Sequence, residues 1–208
     1  MLKPDSARWT KTPEEETLNS AAEAIAARGI TVIVVDDKKA ALEKIKELVP
    51  EGAEIMNGSS TTLIEIGFID FLNSDKHRWR NLHEGILKES DDEKRNDLRR
   101  KSVTAGYFLA SVNAIAKTGE LVACDASGSR VGAFPFAAKR LILVAGYQKI
   151  TDSLEDAMRR VREYVYPMED ARARKAYGMP SSLGKWVIIE KDFPGRTTLI
   201  LVKEKLGF

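Results

Sequence analysis

Read for hydrophobic periodicity, the chain alternates between helical stripes and short unbroken apolar runs. Leu18, Ala21, Ala22, Ile25 and Ala26 recur at helical spacing on one face. Thr12-Pro13-Glu14-Glu15 predicts the start of that helix, with Thr12 as cap, Pro13 in the first turn and Glu15 closing a capping box. Arg28-Gly29 predicts its end. Thr31–Val35 has no alternation, the pattern of a strand buried on both faces. A second stripe, Ala41, Leu42, Ile45, Leu48 and Val49, runs between Asp36-Asp37 and Pro50, and Ala53–Met56 follows as another strand. Strand, helix, strand at this spacing predicts a parallel sheet with right-handed crossovers.

Three further apolar runs, Tyr107–Val112, Glu120–Cys124 and Leu141–Ala145, extend the same central sheet in this reading. Trp186–Glu190 and Thr198–Lys203 are two more strands, joined by a turn or hairpin connection at Asp192–Gly195. Val34, Ile142, Val144 and Ile188 are expected in the core. Asp152 with Glu155 predicts the cap of a helix bearing Leu154, Ala157, Met158, Val161 and Val165, continuing to Tyr177. Between Ile69 and Lys101, charges of both signs surround Ile69, Leu72, Trp79, Leu82, Ile86 and Leu87, which suits helices lying over the sheet or on a partner. Within that stretch Asp91-Asp92-Glu93 opens a helix and Arg99-Arg100-Lys101 closes it, in keeping with the helix dipole. The expected architecture is one α/β domain over residues 1–208, Rossmann-like, with a mostly parallel sheet flanked by helices and a charged helical insertion near residues 69–101.

Composition narrows the partners. Lys and Arg number 33 against 31 Asp and Glu, a net charge of +2, so no electrostatic footprint for nucleic acid or an anionic membrane arises. The single cysteine, Cys124, rules out an internal disulfide framework and any Cys-based zinc or iron–sulfur site made by this chain alone. His77 and His83 do not share a helix face as an i, i+4 pair would, so no metal site is assigned and no cofactor is called for. No apolar run approaches the ~18 residues of a membrane span. The first residues lack a signal-peptide core. The expectation is a cytoplasmic protein.

Candidate chemistry sits in two loops. Asn57-Gly58-Ser59-Ser60-Thr61-Thr62 follows a strand and enters a helix, so its N–H groups and hydroxyls suit an anion. The same residues also read as ordinary caps, with Ser60, Thr61 or a Thr62/Glu65 box in that role. No Gly-Lys-Ser/Thr follows, which excludes a P-loop. The second region, Val103–Gly146, carries polar turns between its apolar runs, with Asn113, Gly128 and Arg130 among them. Arg130 offers a guanidinium fork for a carboxylate or phosphate, and Asn113 can both donate and accept. Loops after parallel strands reach one edge of the sheet, so Gly58, Ser59, Ser60 and Thr61 are expected to face Asn113, Gly128 and Arg130 across one crevice. Glu65, Glu84, Glu120 and Asp125 are the candidate bases, and no spacing singles one out.

The run Ser111, Asn113, Ala114, Ile115, Ala116, Lys117, Thr118, Gly119, Leu121, Val122, Ala123, Asp125, Gly128, Ser129, Arg130, Val131 resembles a motif of the lactate-utilization (LUD) domain family. Lys117 stands where that family usually has Glu, reversing a charge, and Ala123 and Ser129 each replace Asn. The likeness extends from about Thr12 to Phe208. The resemblance implies a fold like that of the ribose-phosphate isomerase, glucosamine-phosphate deaminase and CoA-transferase group. It also implies an accessory role in lactate or organic-acid oxidation beside iron–sulfur or flavin oxidoreductase subunits, with a small anionic molecule as ligand and a homo-oligomer as one assembly. By analogy of fold, the alternative is an enzyme acting on a sugar phosphate or a CoA thioester. Many relatives carry several cysteines in the segment that here reads Pro180-Ser181-Ser182-Leu183-Gly184-Lys185.

Overall fold

The computed structural model describes residues 6–74 and 76–208. A six-stranded, wholly parallel sheet forms the centre. Its strands are β1 (Thr31–Val35), β2 (Glu54–Asn57), β3 (Arg80–Asn81), β4 (Tyr107–Ala110), β7 (Arg140–Gly146) and β10 (Thr197–Val202), in the order β1-β10-β7-β4-β2-β3. A second sheet holds β8 (Ile150–Thr151), β5 (Ala114–Ala116), β6 (Leu121–Asp125) and β9 (Lys185–Ile189), in that order.

Both faces of the inner strands β4, β7 and β10 are buried, which explains their unbroken apolar runs. Leu141, Leu143, Leu199 and Leu201 face one side. They pack with Leu18 and Ile25 of helix α2 (Glu15–Ala27), Ile86 of α6 (Leu82–Lys88), and Ile115 and Leu121 of the second sheet. Ile142, Val144, Ile200 and Val202 face the other side. There they meet Ala41 and Ile45 of α3 (Lys38–Leu48), Leu63 of α4 (Thr61–Glu65), and Phe68 and Leu72 of α5 (Phe68–Leu72). The outer face of the second sheet, Ala114, Val122 and Cys124, is covered by Ala157 and Val161. Ala157 belongs to α8 (Leu154–Arg160), which runs through a π-helical turn at Val161–Val165 into α9 (Tyr166–Tyr177). The charged stretch forms α5, β3, α6 and α7 (Asp92–Ser102), the last capped by Asp91.

The α/β architecture with a mostly parallel central sheet is as expected, but several placements differ. The Glu120–Cys124 run, observed as β6, lies antiparallel between β5 and β9 in the second sheet. The short Lys117–Glu120 link from β5, turned by Gly119 at φ 105°, is far too brief for a parallel crossover, so a hairpin results. Of the two connections expected at Asp192–Gly195 the turn is present, with Arg196 N–H donating to the Phe193 carbonyl, and the hairpin is not. β9 ends in the second sheet, and Asp192 N–H donates to the Arg28 carbonyl before β10 enters the central sheet between β1 and β7. Val34 is 38% exposed because β1 is an edge strand with β10 as its one neighbour. Ile188 is half-buried, whereas Ile142 and Val144 are in the core.

The caps differ in detail. Glu14 occupies the N-cap of α2 without a side-chain hydrogen bond, so Thr12 does not cap it. Ser153, rather than Asp152, caps α8 by accepting from Asp156 N–H. Asp37 caps α3 and Ser60 caps α4.

The exposure contrast makes a stability prediction. Ile142→Ala removes a core side chain and is expected to cost about 2–5 kcal/mol. Val34→Ala on the edge strand is expected to stay within about 1 kcal/mol. Urea unfolding of both variants checks the difference.

Candidate functional site

β2 and β4 are neighbours, yet the chain leaves their carboxyl ends in opposite directions. After β2 it runs through α4 and α5 to β3 on the sheet's edge. After β4 it passes through the second sheet to β7 on the inner side. Such a divergence opens a crevice outside the carboxyl ends of the two strands, the usual ligand position in open α/β sheets. A cleft of about 410 Å³ lies there.

Gly58, Ser59, Ser60, Thr61, Asn113 and Arg130 all line this cleft, so the two loops meet across one crevice. Gly128 does not line it. Its N–H donates to Asp125, and its Cα packs beside the stem of Lys185. Contact between the loops is direct at Gly58, where a Cβ would lie 2.5 Å from Arg130 Cγ. Glycine is therefore required at residue 58 for the loop to lie on the arginine stem.

Arg130 is placed differently from a free anion fork. Its Nη1 donates to the Ser111 carbonyl (2.9 Å), and its Nη2 donates to Asn113 Oδ1 (3.1 Å) and the Cys124 carbonyl (2.7 Å). Asp125 lies 3.9 Å from its Nε. The guanidinium thus ties the end of β4 to the end of β6. Asp125 is also committed, accepting from the N–H groups of Gly128, Arg130 and Val131. Asn113 Oδ1 accepts from Cys124 N–H (2.7 Å) as well, and its carbonyl accepts from fully buried Arg160. The loop residues Ser111–Asn113 are therefore held by two arginines from two different elements.

The remaining candidate bases lie elsewhere. Glu65 accepts from Gly207 N–H (2.6 Å), Glu84 faces Lys88, and Glu120 pairs with Arg28. The other carboxylate in the cleft, Glu169, is held by a two-point pair with Arg172 at 2.7 Å each.

Several lining residues escaped the sequence reading. His83 is half-buried in the cleft wall, and burial, with a further push from Arg99, lowers its pKa below the ordinary 6.5. Arg99 lies at the cleft with its guanidinium on Asn96 and Ser129 rather than on a carboxylate. Asn57 is 4% exposed at the end of β2, and its Oδ1 has no hydrogen-bond partner among the described residues. From the far wall α9 contributes Tyr166, Glu169 and Arg172, and the following loop contributes Ser181 and Ser182.

Lys149 is the most unusual of these. It follows β7, is 3% exposed and borders the cleft. Its Nζ lies 3.0 Å from Thr62 Oγ1, 2.9 Å from Ser111 Oγ and 3.1 Å from the Val112 carbonyl. Burial depresses its pKa well below the usual lysine value, and the nearby Arg160 and Arg130 lower it further. A sequence offers no periodic signal for such a residue, since one lysine after a strand reads as a solvated end.

Among the described residues no three His, Cys, Asp or Glu side chains cluster as metal ligands, and no helix is long and apolar enough to cross a membrane. Cys124 borders the cleft but is buried, and burial first, then the charge of Asp125, pushes its thiol up to about 11.

Two predictions come from this geometry. At pH 8 only about one Cys124 in a thousand is expected as thiolate, so alkylation of the folded protein is slow. Its rate should climb with pH toward 11, and urea should abolish the protection, as followed by mass spectrometry. Gly58→Ala should push Arg130 off its carbonyls and cost about 1–3 kcal/mol in urea unfolding.

The comparisons with known proteins agree with this fold. The LUD domain family matches residues 18–202. No curated protein matches the chain in sequence. Among solved structures, a DUF162 family protein from Deinococcus radiodurans is similar in fold, with a TM-score of 0.55 over 91% of this chain and 99% of that one, at 13% identity. The match over most of its length places this chain in the LUD domain family, and so among the lactate-utilization-related proteins.

Proposed function

We propose that the protein is an accessory component of lactate or organic-acid oxidation that binds a small anionic molecule in the cleft. The observation that carries this reading is the imbalance of charge in its lining. Arg99, Arg130 and Arg172 face Asp125 and Glu169, and both carboxylates are already engaged by the chain. Among the described residues Arg99 has no carboxylate partner, and a bound anion in the cleft would complete it. The ligand-binding residues in this reading are Gly58, Ser59, Ser60, Thr61 and Asn113, with Arg130 as the scaffold that aligns them and Gly128 as part of the turn behind it.

A chain with one cysteine cannot by itself hold a four-cysteine cluster, so electron transfer would fall to separate iron–sulfur or flavin subunits. The second reading, an enzyme acting on a sugar phosphate or a CoA thioester, is favoured by a single feature, the buried amine of Lys149 at the cleft wall.

Isothermal titration with lactate, pyruvate, inorganic phosphate, ribose 5-phosphate and a CoA thioester tests the proposal. At least one should bind, more weakly as salt is raised. Arg99→Ala should cost about 1–3 kcal/mol of that binding, roughly 5- to 150-fold in Kd. No binding of any of the five to the wild type would overturn the proposal.

A further inference from the structure

Lys149 has a surrounding that a structural lysine does not need. A buried ammonium is normally matched by a carboxylate, because an isolated charge taken out of water costs far more than hydrogen bonds to neutral groups return. Here the three groups around Nζ are two hydroxyls and a carbonyl, and the nearest strongly charged neighbours are cations, Arg160 and Arg130. Among the described residues Glu65 is the carboxylate that favours the charged form, and it already accepts from Gly207 N–H. The balance shifts this group toward the free amine.

A free amine suits this cage. It has two hydrogens to give and one lone pair. The Val112 carbonyl can only accept, while the hydroxyls of Ser111 and Thr62 can do either. One hydrogen on Val112 and one on a hydroxyl leave the lone pair toward the remaining hydroxyl, beside the cleft. Ser111 Oγ and Thr62 Oγ1 are 3.2 Å apart, so a proton can pass between them. Gly207, at φ 64°, closes the cage from behind, where a side chain would collide with Thr62 Oγ1.

We infer that Lys149 is the covalent anchor of the cleft, forming an imine with a small anion that carries an aldehyde or ketone. This rests on the reading of the cleft as an anion site and names the substrate class. The lone pair of Nζ attacks the carbonyl carbon and a C–N bond forms. The carbonyl oxygen takes up a proton, and the hydroxyl of the carbinolamine leaves as water with a second proton, with the Ser111 and Thr62 hydroxyls relaying protons. The nitrogen lone pair then completes the C=N bond, and no oxidant or reductant is consumed. Arg99 and the loop at Gly58–Thr61 are placed to hold the anionic end.

The same carbonyl-plus-anion chemistry is found in 2-oxo acids and in sugar phosphates, so the test runs both. The full chain is incubated with pyruvate, glyoxylate or ribose 5-phosphate and then with sodium borohydride, which delivers hydride to the imine carbon and fixes the adduct as a secondary amine. Intact mass should rise by one reduced substrate per chain, and peptide mapping of the wild type should place the adduct on Lys149, so the result does not depend on a variant folding. Lys149→Arg should lose the adduct and keep a native unfolding transition. The arm that labels, oxo acid or sugar phosphate, identifies the source. Absence of adduct, or label spread over surface lysines, would overturn the imine. If titration still shows anion binding in that case, the anion site stands and only the covalent step fails.

Discussion

The cleft depends on one guanidinium. Arg130 donates to the backbone at the end of β4, to the Asn113 side chain and to the backbone at the end of β6, while its stem carries the Gly58 loop after β2. Two sheets with different pairing directions are joined at this point. Hydrogen bonds from a cation to carbonyls are stronger than neutral ones, and removing the donor would strand several buried acceptors together. The site's walls are therefore set by a residue that has little left to offer a ligand.

How much of this was legible in the sequence varies with the kind of signal. The Leu141–Ala145 run read directly as a strand because burial from both sides leaves a continuous apolar stretch, whereas Thr31–Val35 carries the same apolar pattern on a part-exposed edge strand. Ala114–Ala116 did not, since one isoleucine between two alanines, set between an asparagine and a turn, looks like a loop until a second sheet covers it. The sheet to which Leu121–Asp125 belongs was misjudged for the same reason, as apolar content marks a strand without naming its neighbours.

The site follows the same division. The meeting of the Gly58 loop with Asn113 and Arg130 was foreseeable from strand order, because loops after parallel strands share an edge. The roles inside it were not. Arg130 has the composition of an anion fork, and only the three carbonyl-type acceptors around it show a scaffold. His83, Arg99 and Lys149 come from three separate elements, and no pattern in the chain links them.

The π-helical turn at Val161–Val165 bears on how this wall can vary. A π turn holds one residue more than an α turn, so everything beyond it is rotated relative to a regular helix, by about 100° per residue. Tyr166, Glu169 and Arg172 reach the cleft from just beyond that turn. A one-residue deletion within Val161–Val165 would let the helix close into regular α geometry and swing all three side chains off the cleft together, while Ala157 on the preceding turn kept its contacts with the second sheet. Gain or loss of a single codon there would exchange a whole wall of the cleft at once, a step that no series of point substitutions reproduces.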